Sequence, residues 1–159
     1  MGTAKFYYQN PNAPFPNKPN HIGIAALIIM DNSILMEYRK DCNRWALIGG
    51  ALEIDESLID CLKREVKEET SLNISSYELF GIFSDPSRII EYPDGNIIRS
   101  ITIAYIVSVE DVTQMEVSDE SHFLKFIDKN TLNNIDVVET HKHILNRFLT
   151  WDQKQVIVE

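Results

Sequence analysis

Positive charge is in short supply in this 159-residue chain: 15 lysines and arginines stand against 24 aspartates and glutamates, for a formal charge of -9. A surface of that sign is repelled by phosphodiester backbones, so no stable nucleic-acid partner is expected. A phosphate-bearing ligand would need a local source of attraction. A divalent cation held by carboxylates supplies one, because it reverses the sign of the field. Cysteine is scarce too. Cys42 and Cys61 form no C-x-x-C pair and have no histidine at zinc-finger spacing, which reads most simply as two free thiols in a reducing compartment. Long hydrophobic runs are missing. IGIAALIIM at 22–30 is too short to span a bilayer, and MGTAKFYYQN lacks the apolar stretch of a signal peptide, so a cytoplasmic protein without a membrane partner is expected.

What is present suits one globular domain: the length falls in the single-domain range and 44% of the residues are hydrophobic. Residues 10–20, NPNAPFPNKPN, hold four prolines and four asparagines and cannot build a helix or an inner strand. Residues 1–20 are therefore expected to be an extended arm leading into a domain at 21–159. From His21 the pattern becomes HIGIAALIIM, a DNS turn and ILMEYRK, which predicts a β-hairpin, followed by WALIGG as a short strand. Residues 57–71 predict a helix opened by a Ser57/Asp60 capping box, with Leu58, Ile59, Leu62 and Val66 as its apolar stripe. YELFGIFSD, IIRSITIAYIVSV and SHFLKFID read as strands, PDGN as a turn, and VVETHKHILNRFL as a closing helix. The sum is an α+β fold, a mixed sheet sandwiched between a central helix and a C-terminal one.

The stretch REVKEETSL crowds Glu65, Glu68 and Glu69 onto one helix face. Like charges at i,i+4 oppose helix formation by roughly 0.2–0.5 kcal/mol per pair. A bound cation and a solvated surface would each account for the crowding. On a helical wheel the three acids span an arc of roughly 100° that overlaps one edge of the apolar stripe, while Lys63 and Lys67 take the outer face. Carboxylates at the margin of a core suit a hard cation, which prefers oxygen ligands.

Upstream lies GGALEIDES. The run from Gly50 through Glu56 to Arg64-Glu65-Val66-Lys67-Glu68-Glu69 and Leu72 resembles the Nudix box, G-x5-E-x7-R-E-U-x-E-E-x-G-U, where U is a bulky apolar residue. Ser71 stands in place of the second glycine, Asp55 where a glycine is common, and Ile48 where a proline is common. The resemblance implies the Nudix fold and hydrolysis of a diphosphate bond in a nucleoside diphosphate linked to another group. It implies that Glu65, Glu68 and Glu69, with the Gly49 carbonyl, hold Mg²⁺ or Mn²⁺. Arg64 would orient the glutamates and Glu56 would hold Arg64. Glu120, ahead of a strand and Leu132, matches the loop glutamate that serves as a further ligand or as general base.

Substrate clues are thinner. In relatives that cleave ADP-ribose a proline often follows the box at a fixed spacing, and Pro86 sits there. Tyr92, Phe83 and Tyr105 are candidates to stack on a base, and Arg39, Arg44, Arg88 and Arg99 to meet phosphate; core packing and exposed salt bridges are their structural alternatives. The leading expectation is a Mg²⁺-dependent hydrolase of an ADP-ribose-like nucleotide or a nucleoside triphosphate. The alternatives are a nucleotide-sensing domain that does not cleave, and an isoprenoid diphosphate isomerase, which would need a catalytic cysteine; Cys61 at the edge of the apolar stripe reads better as a packed thiol. A homodimer, with the arm crossing to a neighbouring subunit, is compatible with this organisation.

Overall fold

The computed structural model describes residues 2–159. In chain order its elements are β1 (Lys5–Tyr7), β2 (His21–Met30), β3 (Ser33–Arg39), β4 (Trp45–Ala51), α1 (Leu58–Thr70), β5 (Ile74–Phe83), β6 (Ile89–Glu91), β7 (Ile97–Val109), β8 (Ser121–Asp128), a 3₁₀ turn at Lys129–Asn134, α2 (Glu139–Leu149) and β9 (Ile157–Val158). One twisted mixed sheet runs β1-β6-β7-β2-β4-β3-β8, with β5 joined at β7 and β9 added on β5.

The centre is the parallel pair β2–β7, in register from His21 opposite Ser100 to Ile28 opposite Val107. A strand covered on both faces needs apolar residues throughout rather than in alternation, which is what IAALII supplies. Ala25 and Leu27 face one core with Met36, Leu47, Phe80, Ile144 and Leu145 from under α2. Ile24, Ala26 and Ile28 face the other, with Ile48, Cys61, Leu62 and Val66 under α1. This is the expected α+β sandwich.

The expected β2–β3 hairpin pairs only at its tip, Ile29 with Ile34 and Met30 with Ser33. β4 wedges between the two strands further down and sets Gly49 opposite Ala25 and Gly50 opposite Ile24. The glycine pair is thereby held at the mouth of the splayed hairpin. The helix expected over 57–71 is α1, and its capping box is complete: Asp60 N–H donates to Ser57 Oγ at 3.1 Å and Ser57 N–H to Asp60 Oδ2 at 3.0 Å. It stops at Ser71, which adopts the left-handed conformation (φ 62°) and donates its N–H to Lys67 O at 2.9 Å.

Other boundaries shift. The strand expected to begin at Tyr77 already begins at Ile74, and the closing helix begins at Glu139 because Val138 is extended. The segment expected to be only a turn before β7 contains β6, paired with β7 around the Pro93–Asn96 turn. The proline-rich 10–20 builds no strand, but within the expected arm Lys5–Tyr7 form β1 and pair with β6, where Phe6 is buried beside Ile90 and Ile98. The arm is thus tied to its own sheet by main-chain hydrogen bonds that proline avoidance rules do not forbid at residues 5–7.

Candidate active site

A cavity of about 580 Å³ opens over the β2–β7 pair between the end of β4, the inner face of α1 and the start of α2. Gly49, Gly50, Arg64, Glu65, Glu68, Glu69 and Glu120 all border it, so the fold brings together every site residue expected from the sequence except Glu56, which stands behind Arg64.

The glycine pair is required by packing rather than by turn geometry. A β-carbon at Gly49 would strike the Ile24 carbonyl, and one at Gly50 would overlap the Glu65 carboxylate. Gly50 therefore lets Glu65 lie flat against β4. Glu69 is buried, 5% exposed, and accepts a hydrogen bond from Gly49 N–H at 3.1 Å. Glu68 stays exposed on the rim.

Arg64 organises the acids. Its Nε and Nη2 grip Glu56 at 2.9 and 2.6 Å, its Nη1 reaches Glu65 at 2.8 Å and Glu68 at 3.1 Å, and Nη2 also donates to the Ala51 carbonyl at 3.0 Å. A guanidinium can serve so many acceptors in one plane; an ammonium cannot. The fork from Arg64 holds the Glu56 carboxyl down to about 2. Lys63 and Lys67 face solvent, as the helical wheel required.

One acid of this cluster was not singled out in the sequence. Glu37, on β3, is 2% exposed, accepts from Ser121 Oγ at 2.6 Å and lies 3.8 Å from the Arg39 guanidinium. Burial pushes the Glu37 and Glu69 carboxyls up, each reinforced by nearby acid, and burial also raises Glu65 in spite of Arg64. The available signal was an acid directly after the apolar run Ile34–Met36 of the same strand, where a buried charge is costly. Arg39 is pinned to Asp41 through both Nε and Nη2, the first at 2.8 Å.

Among the described residues no three acidic, histidine or cysteine side chains already converge as an ion-binding cage. The donor set nevertheless fits a hard divalent cation. It is all oxygen, and the buried Glu69 carboxylate has the Gly49 N–H but no cation as partner among the described residues.

The remaining expectations sort by burial. Phe83 and Tyr105 are core residues, whereas Tyr92 borders the cavity. Arg44 is committed to Asp136 and Glu139, and Arg99 donates to the Ser84 carbonyl; neither reaches the cavity. Arg88, expected at the surface or against phosphate, is fully buried behind the cavity wall. Pro86 is exposed in the turn after β5 and does not border the cavity. Cys61 is fully buried beside the Ala51 carbonyl, and burial pushes its thiol up to about 12, which suits packing and not nucleophilic attack. His141, also missed, borders the cavity from α2.

The NUDIX domain family profile matches residues 19–148. The chain is 29% identical over 135 residues to an ADP-ribose pyrophosphatase of Methanocaldococcus jannaschii, covering 82% of this chain and 73% of that protein. It is 28% identical over 121 residues to the nucleoside triphosphatase NudI of an Enterobacter species, covering 72% of this chain and 78% of that one. Among solved structures, a bifunctional NMN adenylyltransferase/ADP ribose pyrophosphatase from Francisella tularensis, complexed with AMP and a manganese ion, superposes with a TM-score of 0.63 at 28% identity, over 87% of this chain and 43% of that one.

Proposed function

This chain belongs to the NUDIX domain family, and on that premise we propose that it is a pyrophosphohydrolase that uses Mg²⁺ or Mn²⁺ to cleave a nucleoside diphosphate derivative or a nucleoside triphosphate. The observation that carries the reading is the buried carboxylate group, Glu65 and Glu69 beside the Gly49–Gly50 backbone, aimed at a cavity large enough for a nucleotide. Glu65, Glu68, Glu69 and the Gly49 carbonyl would hold the ion, with Glu120 reaching in from the loop before β8. The chemistry supplied by such an ion when bound is neutralisation of phosphate oxygens and a lowered pKa for the attacking water.

The chain's own part is orientation and proton handling. Arg64, fixed on Glu56 and the Ala51 carbonyl, keeps Glu65 and Glu68 in place and stops them from folding away when the site is empty. Glu120 is exposed at the rim, where it can take a proton from the water as it attacks phosphorus. Relatives named for ADP-ribose and for nucleoside triphosphates support the class of substrate; the turn position of Pro86 gives the ADP-ribose reading no added support.

The test is product identification with Mg²⁺ or Mn²⁺ and a panel of nucleoside triphosphates, nucleotide sugars, ADP-ribose and dinucleoside polyphosphates. Metal-dependent release of a nucleoside monophosphate is expected, with a loss of about 100-fold or more in Glu69→Gln. No turnover on any member, or turnover unchanged in that variant, would sink the proposal.

A further inference from the structure

The cavity wall opposite the glutamates is built differently. Arg88 is fully buried and forms no salt bridge among the described residues; it donates to the Ser100 carbonyl at 3.2 Å, the Thr140 carbonyl at 2.9 Å and Thr102 Oγ1 at 2.9 Å. It lies 5.9 Å from the Phe83 ring centre. A buried cation without an acid is costly, and burial pulls the guanidinium down to about 10. What it achieves is to tie β7 to the first turn of α2 and to place a positive potential behind one end of the cavity.

The hydrogen atoms at that end can be counted. Ser100 and Thr102 both border the cavity, and their hydroxyls lie 3.3 Å apart. Thr102 Oγ1 already accepts from Arg88. Whichever hydroxyl donates to the other, one hydroxyl hydrogen remains, and the open side is the cavity. On α2, Leu47 N–H donates to His141 Nδ1 at 3.0 Å, so Nδ1 carries no proton and the neutral ring must carry it on Nε2. Burial together with Arg88 and Arg39 pushes this imidazole down to about 3, which keeps it neutral. Nε2–H has no partner within the chain among the described residues. The wall thus offers hydrogen-bond donors and positive potential, while Tyr92, Ile90 and Phe6 beside it offer flat apolar surface.

We propose that the Ser100/Thr102/His141 wall, backed by Arg88, binds the acceptor edge of an oxo-bearing nucleobase, and so selects 6-oxopurine or 4-oxopyrimidine nucleotides over their amino counterparts. This rests on the nucleotide hydrolase reading for the identity of the ligand. A 6-oxopurine presents O6 and N7, two acceptors side by side, whereas adenine presents an N6 amine next to N7 and would set donor against donor. Leaving a buried donor unpaired carries a penalty that the oxo base avoids.

Inosine and adenosine nucleotides differ only by O6 in place of the N6 amine and the accompanying proton on N1, and make the cleanest pair. IMP and AMP binding, measured by titration without any bond cleavage, is expected to favour IMP by about tenfold or more. The same preference is expected in kcat/KM for ITP over ATP and for UTP over CTP. His141→Asn keeps an acceptor for Leu47 N–H but removes the Nε2–H donor. It is expected to reduce the IMP preference to about threefold or less while AMP binding changes little. Equal affinities, a preference for AMP, no binding of either mononucleotide, or a preference that survives His141→Asn in folded protein overturns the proposal. An IMP preference that His141→Asn abolishes, in a protein that hydrolyses none of the triphosphates, supports this wall and counts against the hydrolase reading instead.

Discussion

Two ends of one cavity, hung on the same β2–β7 pair, carry opposite electrostatics. At the α1 end Glu37, Glu65 and Glu69 are buried with too little positive charge to match; at the α2 end Arg88 is buried and forms no salt bridge among the described residues. Each end is incomplete for a reason that the other cannot repair, since the charges are fixed on separate rigid elements. A ligand that brings a cation to the first and oxygen acceptors to the second would satisfy both. On the proposed function binding specificity is divided: the acids would handle the reacting phosphates and the donors the identity of the base.

The largest effect should come from disturbing the fork at the acidic end. Arg64→Lys keeps the charge but cannot serve Glu56, Glu65, Glu68 and the Ala51 carbonyl together, so kcat is expected to fall about 10- to 100-fold with circular dichroism unchanged. A change of less than twofold in steady-state kinetics would mean that the acids hold their positions without it.

A second effect separates the two ends by pH. In metal-free protein Glu37, Glu65 and Glu69 have folded pKa values above the ordinary 4.5, so above that pH the folded state binds more protons than the unfolded one. Stability is therefore expected to fall as the pH rises from 4.5 through neutrality. Glu56, held at about 2 by Arg64, contributes in the opposite sense, and its share is lost only as the pH falls below 4.5 toward that value. Saturating Mn²⁺ should flatten the upper slope, and Glu69→Gln should flatten it without metal. Urea midpoints at several pH values, with and without the ion, measure this; a slope indifferent to both would break the contrast.

The smallest effect lies at the C-terminus of α1, outside the cavity, and should touch neither end. Ser71 holds a left-handed conformation that glycine adopts without steric cost, so Ser71→Gly is expected to stabilise by about 0.5–1 kcal/mol in denaturant melts and leave kinetics unchanged.

The acidic end was legible in the chain because its three helical glutamates ride on one helix and the glycine pair lies only a short loop upstream of it. Local spacing carries such a pattern: the capping box at Ser57 and the exposed Lys63 and Lys67 followed from it, and the fork from Arg64 to Glu56 from the resemblance to the Nudix box. Glu37 escaped because its partner acids are not neighbours in sequence, and only the insertion of β4 into the β2–β3 hairpin buries it beside them. The donor end was illegible for the same reason. Arg88, Ser100, Thr102 and His141 come from a loop, a strand and a helix, and nothing short of the fold makes Leu47 N–H the partner of His141 Nδ1. Likewise β1 and β6 are three-residue strands whose pairing depends on each other and on β7, too short for any period to announce.

Mn²⁺ binding followed by electron paramagnetic resonance on the wild-type chain and Glu69→Gln tests whether the buried carboxylates form a cation site, without reference to any substrate. Saturable binding to the wild type, weakened about tenfold or more in Glu69→Gln with the fold intact, is the predicted result. Equal binding to both proteins, or none to the wild type, would contradict it.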